Sequence, residues 1–410
     1  MVLLSRKAVV QAAIEDTYGT EKALTLNDGI LVEDPDYSVD VETLERNFTR
    51  NDLSPLASVT GRKLASMTFT TELRGNGLQN SGNVADAPVL ARLLRACGYS
   101  LTGVAAAEAS AVKQIGDVAV KPTWAAGGTL TNTDLITYYL EVTTGGASGT
   151  AEITVSSDTS GEGNAAALVT SGSPLTVGSQ GLTLTPTFSG NLRAGDRWVV
   201  WLFPTGMRLD PVSDGFESLT MKMNMDGVSH KMLGCYGTFE VNAEAGQYAK
   251  IEWTFTGTYI DPVDEAMPDV NYETTLPPMV ELARLRIDEF SAIVNAVSFD
   301  QANDVQIRPD VNSKDGYIGT RIVSRAPEGG IDPEADLVAN HDFWGRLAGG
   351  TRMPFQMRVG TQAGNTVWLL SPSTQYTGLT YGDRNGIRTY DAGLKFSGVD
   401  GDDEVSFFFA

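Results

Sequence analysis

Strict alternation of apolar and polar residues constrains this chain more than any other feature. Between Arg62 and Leu73, Ala65, Met67, Phe69, Thr71 and Leu73 share one face, while Leu64, Ser66, Thr68, Thr70 and Glu72 share the other. Side chains of an extended backbone point alternately to opposite faces, so this spacing predicts a strand buried on one side. The period returns in Leu219, Met221, Met223 and Met225, which run into Asp226-Gly227, a tight-hairpin dipeptide, before a return strand at Val228 to Gly234. It returns again in Tyr236 to Val241 and in Ile251 to Phe255. At strand spacing the methionines read as core rather than as a copper or adaptable binding surface. One short helix interrupts the first block. Asp86 is its expected N-cap, Pro88 lies in its first turn, Val89, Leu90, Leu93, Leu94 and Cys97 form its apolar stripe, and Gly98 ends it.

At 410 residues the chain exceeds what one core usually serves, so several domains are expected. From about Ala105 to Phe203 the composition shifts to Gly, Ser, Thr and Val. Short runs at Ile136 to Val142, Thr150 to Ser156, Ala166 to Thr170, Gly181 to Phe188 and Asp196 to Leu202 predict a small inserted β-sandwich. Pro262, Pro268, Pro277 and Pro278 mark a connector. Beyond it the first order of elements recurs: a strand at Gly316 to Ser324, a helix at Asp342 to Leu347 ended by Gly349-Gly350, strands at Phe355 to Thr361 and Val367 to Leu370, and Asp391 to Gly398 matching Lys250 to Gly257 in period and position. This order reads as an internal duplication whose first copy carries the insert. The predicted boundaries are 1–104 with 206–275 for a discontinuous first domain, 105–205 for the insert and 280–410 for the second domain.

Thirty Lys plus Arg against 51 Asp plus Glu give a net charge of -21, which argues against wrapping nucleic acid and fits either solubility or a surface past which DNA slides. No apolar run is long enough for a membrane span, and the opening Met1 to Lys7 has the wrong charge order for export. Cytoplasmic expression is expected. Cys97 and Cys235 cannot build a disulfide framework or a four-cysteine zinc site and read as buried small residues.

Motifs that carry chemistry are scarce. His230 and His341 read as structural, and neither G-x-S-x-G, G-x-x-x-x-G-K-[ST] nor H-E-x-x-H occurs. Gly161-Glu162-Gly163-Asn164-Ala165-Ala166 lies among strands, without the helix a dinucleotide site needs. The acidic groups Asp400, Asp402, Asp403, Glu404 and Asp261, Asp264, Glu265, Asp269 lack EF-hand spacing and read as solvated loops, with calcium as a minor alternative. No catalytic, cofactor-binding or metal residue is assigned, and no cofactor. The terminal Glu404 to Ala410, rich in Phe, fits docking into its own sheet or strand addition to a neighbouring subunit.

Several segments resemble the major tail tube proteins of long, flexible-tailed (siphovirus-type) bacteriophages. They are Glu15-Asp16-Thr17-Tyr18-Gly19-Thr20, Ile30-Leu31-Val32, Glu42 to Arg46 with Arg50 to Leu53, Glu72 to Gly77, Ala87 to Gly98, and Phe216 to Gly227. The insert is similar to Ig-like modules of tail proteins, and the second half resembles the family in fold order alone. The resemblance implies a mainly β fold with short helices: two tandem tail-tube β-sandwich or split-barrel domains plus the Ig-like insert. It implies a structural virion protein, not an enzyme, that assembles with itself into stacked rings in the host cytoplasm. The lumen is expected to be acidic so that phage DNA passes without specific binding, and the segment between Val32 and Gly61 is placed where the family has an arm reaching the next ring. Tape-measure, tail-terminator and distal tail proteins are the implied partners. Two tube domains per chain imply three chains per ring. The insert is expected to project outward and be dispensable for assembly. The rival readings are a β-sandwich adhesin or carbohydrate-binding protein, a glycoside hydrolase with paired carboxylates, and the tube of a contractile apparatus.

Overall fold

The structure, a computed structural model, describes residue 4, residues 6–78 and residues 82–410; Met1, Val2, Leu3 and Ser5 of the opening segment lie outside the described residues. The chain is mainly β with two short α-helices among the described residues. The predicted strand at Arg62 to Leu73 runs Val59–Glu72, and Ala65, Met67, Phe69 and Thr71, with Leu73 just beyond it, are buried as the alternation requires. Leu219–Met225 and Val228–Glu244 form the predicted hairpin, with Asp226 and Gly227 both at positive φ. Helix α1, Val89–Ala96, buries Leu90, Leu93 and Leu94, and Gly98 follows at φ +90°.

Four local expectations change. Pro88, not Asp86, occupies the N-cap of α1: Asp86 closes a preceding 3-10 turn, and the extended backbone of Pro88 lets its carbonyl take the first helical bond from Ala91. The segments Val228 to Gly234 and Tyr236 to Val241 are one strand, bent where the ladder with Lys250–Asp264 slips between Leu233 and Tyr236. Pro262 lies within Lys250–Asp264, at a second slip where no ladder bond is needed from it. Val367 to Leu370 is the start of a 20-residue strand, Asn365–Arg384.

One order of strand pairing occurs twice. In the first half Ala8–Ile14 pairs with Leu219–Met225, that strand with Val228–Glu244, that with Lys250–Asp264, that with Val59–Glu72, and that with Glu33–Leu44. In the second half Arg286–Ile287, Met353–Gln362, Asn365–Arg384, Ile387–Phe396, Glu328–Pro333 and Val294–Asp300 follow the same succession, with helix α2, Phe343–Ala348, placed as α1 is. Gly29–Ile30 also pairs with Ala8–Ile14, so the first set of strands curls back toward its own start.

Two seams join the halves. Val294–Asp300 pairs with Glu240 to Glu244 of the first half, and Ser406–Phe409 sits between Gly206–Pro211 and the start of Asn365–Arg384. The terminal Phe residues thus dock into the chain's own sheet. The result among the described residues is a 16-stranded sheet around one apolar core that runs from Met67 and Trp253 through Phe239, Phe299 and Phe407 to Phe396 and Leu394. Residues 105–205 build two further sheets around a separate core, with Leu140, Val155, Leu184 and Trp198 inside.

Candidate assembly surface

The seam between the halves creates the most unusual surface of the molecule. On the face turned away from the core, Thr70 lies opposite Glu252, Glu252 opposite Glu240, Glu240 opposite Asp300, and Asp300 opposite Glu328. Four acids therefore stand in one row across four adjacent strands. Glu33 extends the row through Thr70, and Lys395 ends it beyond Glu328. Like charges directly opposed on a sheet repel, so folding stability alone does not select such a row. Glu244, Asp332 and Asp391 line the adjoining concavity, with Lys250 as its basic member.

A second set of contacts pins the hairpin of Asn303–Pro309 and Tyr317–Arg325 onto the first half. The Tyr18 hydroxyl donates to the Thr320 carbonyl at 2.9 Å and accepts from the Thr320 amide at 2.6 Å. Its side chain fits between Gly234 and Gly319, where a Cβ would meet the ring carbon Cζ at 2.9 Å and the hydroxyl oxygen at 2.1 Å respectively. Glu15, buried nearby, accepts from the Gly234 amide, the Ser218 and Thr220 hydroxyls and the Gly19 amide. The Glu15 to Thr20 segment, singled out by its resemblance alone, thus fastens the two halves.

The insert is seated on the second half. Tyr139, Val199, Trp201 and Phe203 bury against Trp368, Leu370 and Phe408. Arg197 makes a bidentate pair with Asp288 at 2.8 and 2.9 Å, and Arg346 adds a third bond at 3.1 Å. Burial opposes ionisation of Asp288, yet the two guanidinium groups hold its carboxyl below the usual range. Thr137 bonds Gln356, and the Tyr139 hydroxyl donates to the Asp288 carbonyl at 2.8 Å.

The residues weighed for chemistry are occupied structurally. His341 is buried against Phe290 and Phe343 with Nε2 3.0 Å from the Tyr376 hydroxyl, and burial, helped by Arg346, lowers its pKa to about 4. His230 packs on Tyr37, and burial lowers its pKa too. Cys97 and Cys235 are fully buried, which pushes both thiols up. Glu162 of the glycine-rich segment is buried; against the burial that pushes it up, bonds from Gln180, Ser179 and Tyr138 bring its carboxyl down to about 2. Asp400 and Asp403 pair with Lys113, Asp402 and Glu404 with Arg325, and Glu265 with Lys222. Met221 and Met223 are core. Among the described residues no group of three or more His, Cys, Asp or Glu is placed to hold a metal, and no helix is long and apolar enough to cross a membrane.

Extended antiparallel strand pairing and an acidic row across four adjacent strands define a mainly β protein with a charged sheet face. The chain belongs to the phage tail tube proteins: the family model described as "Phage tail tube protein" matches residues 5–398. No curated protein matches it. It is accordingly a structural component of the virion tail that assembles with itself and meets other tail proteins.

Proposed function

We propose that this chain closes into rings of three, each chain supplying two tube domains, and that the rings stack into the tail tube of a long, flexible-tailed phage. The observation that carries the reading is the row Glu252, Glu240, Asp300 and Glu328, shared by strands of both halves in a tail tube protein. Turned to the lumen, it repels the phosphate backbone and lets DNA pass without adhering. The twofold recurrence of the pairing order supports two tube domains per chain, and hence three chains for six domains. Residues 105–205 form the Ig-like module on the outside of the ring, and the exposed loop after Leu44, with Phe48 and Leu53 open to solvent, is the arm toward the next ring. Tape-measure, terminator and distal tail proteins contact the tube ends and lumen, and assembly takes place in the host cytoplasm. No catalytic step enters this role.

Cryo-electron microscopy of tubes grown from concentrated protein tests the reading. Three chains per ring with Glu240 and Asp300 facing the lumen are expected; six chains per ring, or this row facing outward, overturns it.

A further inference from the structure

Several strand edges are open among the described residues, and two long ones belong to the recurring order of the large sheet. Among the described residues Glu33–Leu44 pairs on one side only, with Val59–Glu72, and residues 376–384 pair on one side only, with Ile387–Phe396. Unpaired edges of this length are templates for another chain.

The chain contains its own template for how they are filled. In the recurring order, Glu33–Leu44 holds the place of Val294–Asp300, and Asn365–Arg384 holds the place of Val228–Glu244. Inside the chain, Val294–Asp300 pairs antiparallel with Glu240 to Glu244. Each of these two strands therefore has a counterpart, and the two counterparts are the open edges. Among the described residues they face no strand partner within the chain.

We propose that the edge beginning at Leu31 pairs antiparallel with Gly378 to Gly382 of a second copy, repeating the internal seam between chains. The inference rests on the ring reading above. Register follows by matching ladders. Asn242 lies opposite Lys250 and Thr380 opposite Asp391, so Thr380 is the counterpart of Asn242. Ser298 lies opposite Gly330 and Glu33 opposite Thr70, so Glu33 is the counterpart of Ser298. Asn242 and Ser298 are partners in the internal seam. Glu33 therefore faces Thr380, and the half-buried Val32 faces Tyr381, whose ring is 58% exposed. Leu31, 47% exposed, is carried into the same seam. The pairing also brings Glu33 alongside Thr380 and Asp391, so the acidic row passes from chain to chain.

Internal backbone bonds from Ala245 to Asn295 and from Gln301 to Phe239 make Asn242 and Ser298 a pair that exchanges no backbone bonds. Side chains of such pairs approach closely enough for a disulfide. The full chain carrying Glu33→Cys with Thr380→Cys is oxidised after assembly and run without reductant. Dimers and trimers that vanish on reduction, and that neither single variant forms, are expected. Both positions are exposed, and the native thiols are buried. Tubes that form from this variant without cross-linked species overturn the pairing and leave the ring reading standing. Wild-type protein that forms neither rings nor tubes overturns the ring reading and this pairing together. A map of the wild-type tube reads the strands at the seam directly, whatever the variant's yield; other segments there overturn the proposal.

Discussion

Glu240 stands directly opposite Asp300 across the strands that join the two halves of the chain, so the internal seam is closed by a pair of like charges. Asp300 faces Glu328 on its other side. Asp300→Asn keeps an acceptor for the Ala302 amide and relieves both repulsions. The gain expected is about 1 kcal/mol at low salt, and less at about 1 M salt, where charges are screened within about 3 Å. Denaturant midpoints at the two salt concentrations measure it; no gain at low salt would show that the row is not under electrostatic strain.

Tyr18 both donates to and accepts from Thr320, which is buried. Tyr18→Phe leaves the Thr320 amide and carbonyl without these partners, at a cost of about 2 kcal/mol. Gly319→Ala is the more severe change, because its Cβ would lie 2.1 Å from the Tyr18 oxygen at a φ of +121°. Thermal melts should rank the two in that order, with amide exchange rising first in the hairpin of Asn303–Pro309 and Tyr317–Arg325.

Folded His341 titrates near pH 4, below the 6.5 of an ordinary histidine. Between these values the unfolded chain binds a proton that the folded chain does not, so its contribution to stability is full above pH 6.5 and is lost as the pH falls toward 4. His341→Phe, which suits the ring cluster of Phe290, Phe343 and Tyr376, should flatten this part of the melting-temperature profile. An unchanged slope between pH 6.5 and 4 would assign the acid sensitivity elsewhere.

Removing residues 111–201 strips Tyr139, Val199 and Trp201 from Trp368, Leu370 and Phe408. Soluble yield should fall sharply for the simple deletion, since it bares three large apolar side chains. Adding Trp368→Thr and Phe408→Ser should restore solubility and leave tubes visible by negative stain. Failure of this repaired deletion to assemble would make the insert a part of the tube wall.

Much of the strand content was legible because burial on one face writes a period of two into the residues. Val59–Glu72 shows this from Leu64 to its end, and Asp226-Gly227 marks the hairpin of Leu219–Met225 and Val228–Glu244 because both turn residues adopt positive φ. The short pieces of the insert at Lys113–Ile115, Thr123–Gly127 and Leu175–Val177 carry too few residues to show a period. The 20 residues of Asn365–Arg384 change partners along their length, so the buried face is interrupted and the alternation breaks. The acidic row could not be read at all: Glu240, Glu252, Asp300 and Glu328 come together through ladders between distant segments, and nothing local to any of them records which strand lies alongside.

The seam between Val228–Glu244 and Val294–Asp300 lies within one polypeptide, so its closure is unimolecular and indifferent to dilution. A tether of this kind holds the two edges at an effective concentration on the order of millimolar. In the proposed ring of three, subunits would meet in solution with every second joint already made. The protein concentration at which growth begins is then set by the remaining joints alone, and a population of half-built rings has fewer ways to fall apart.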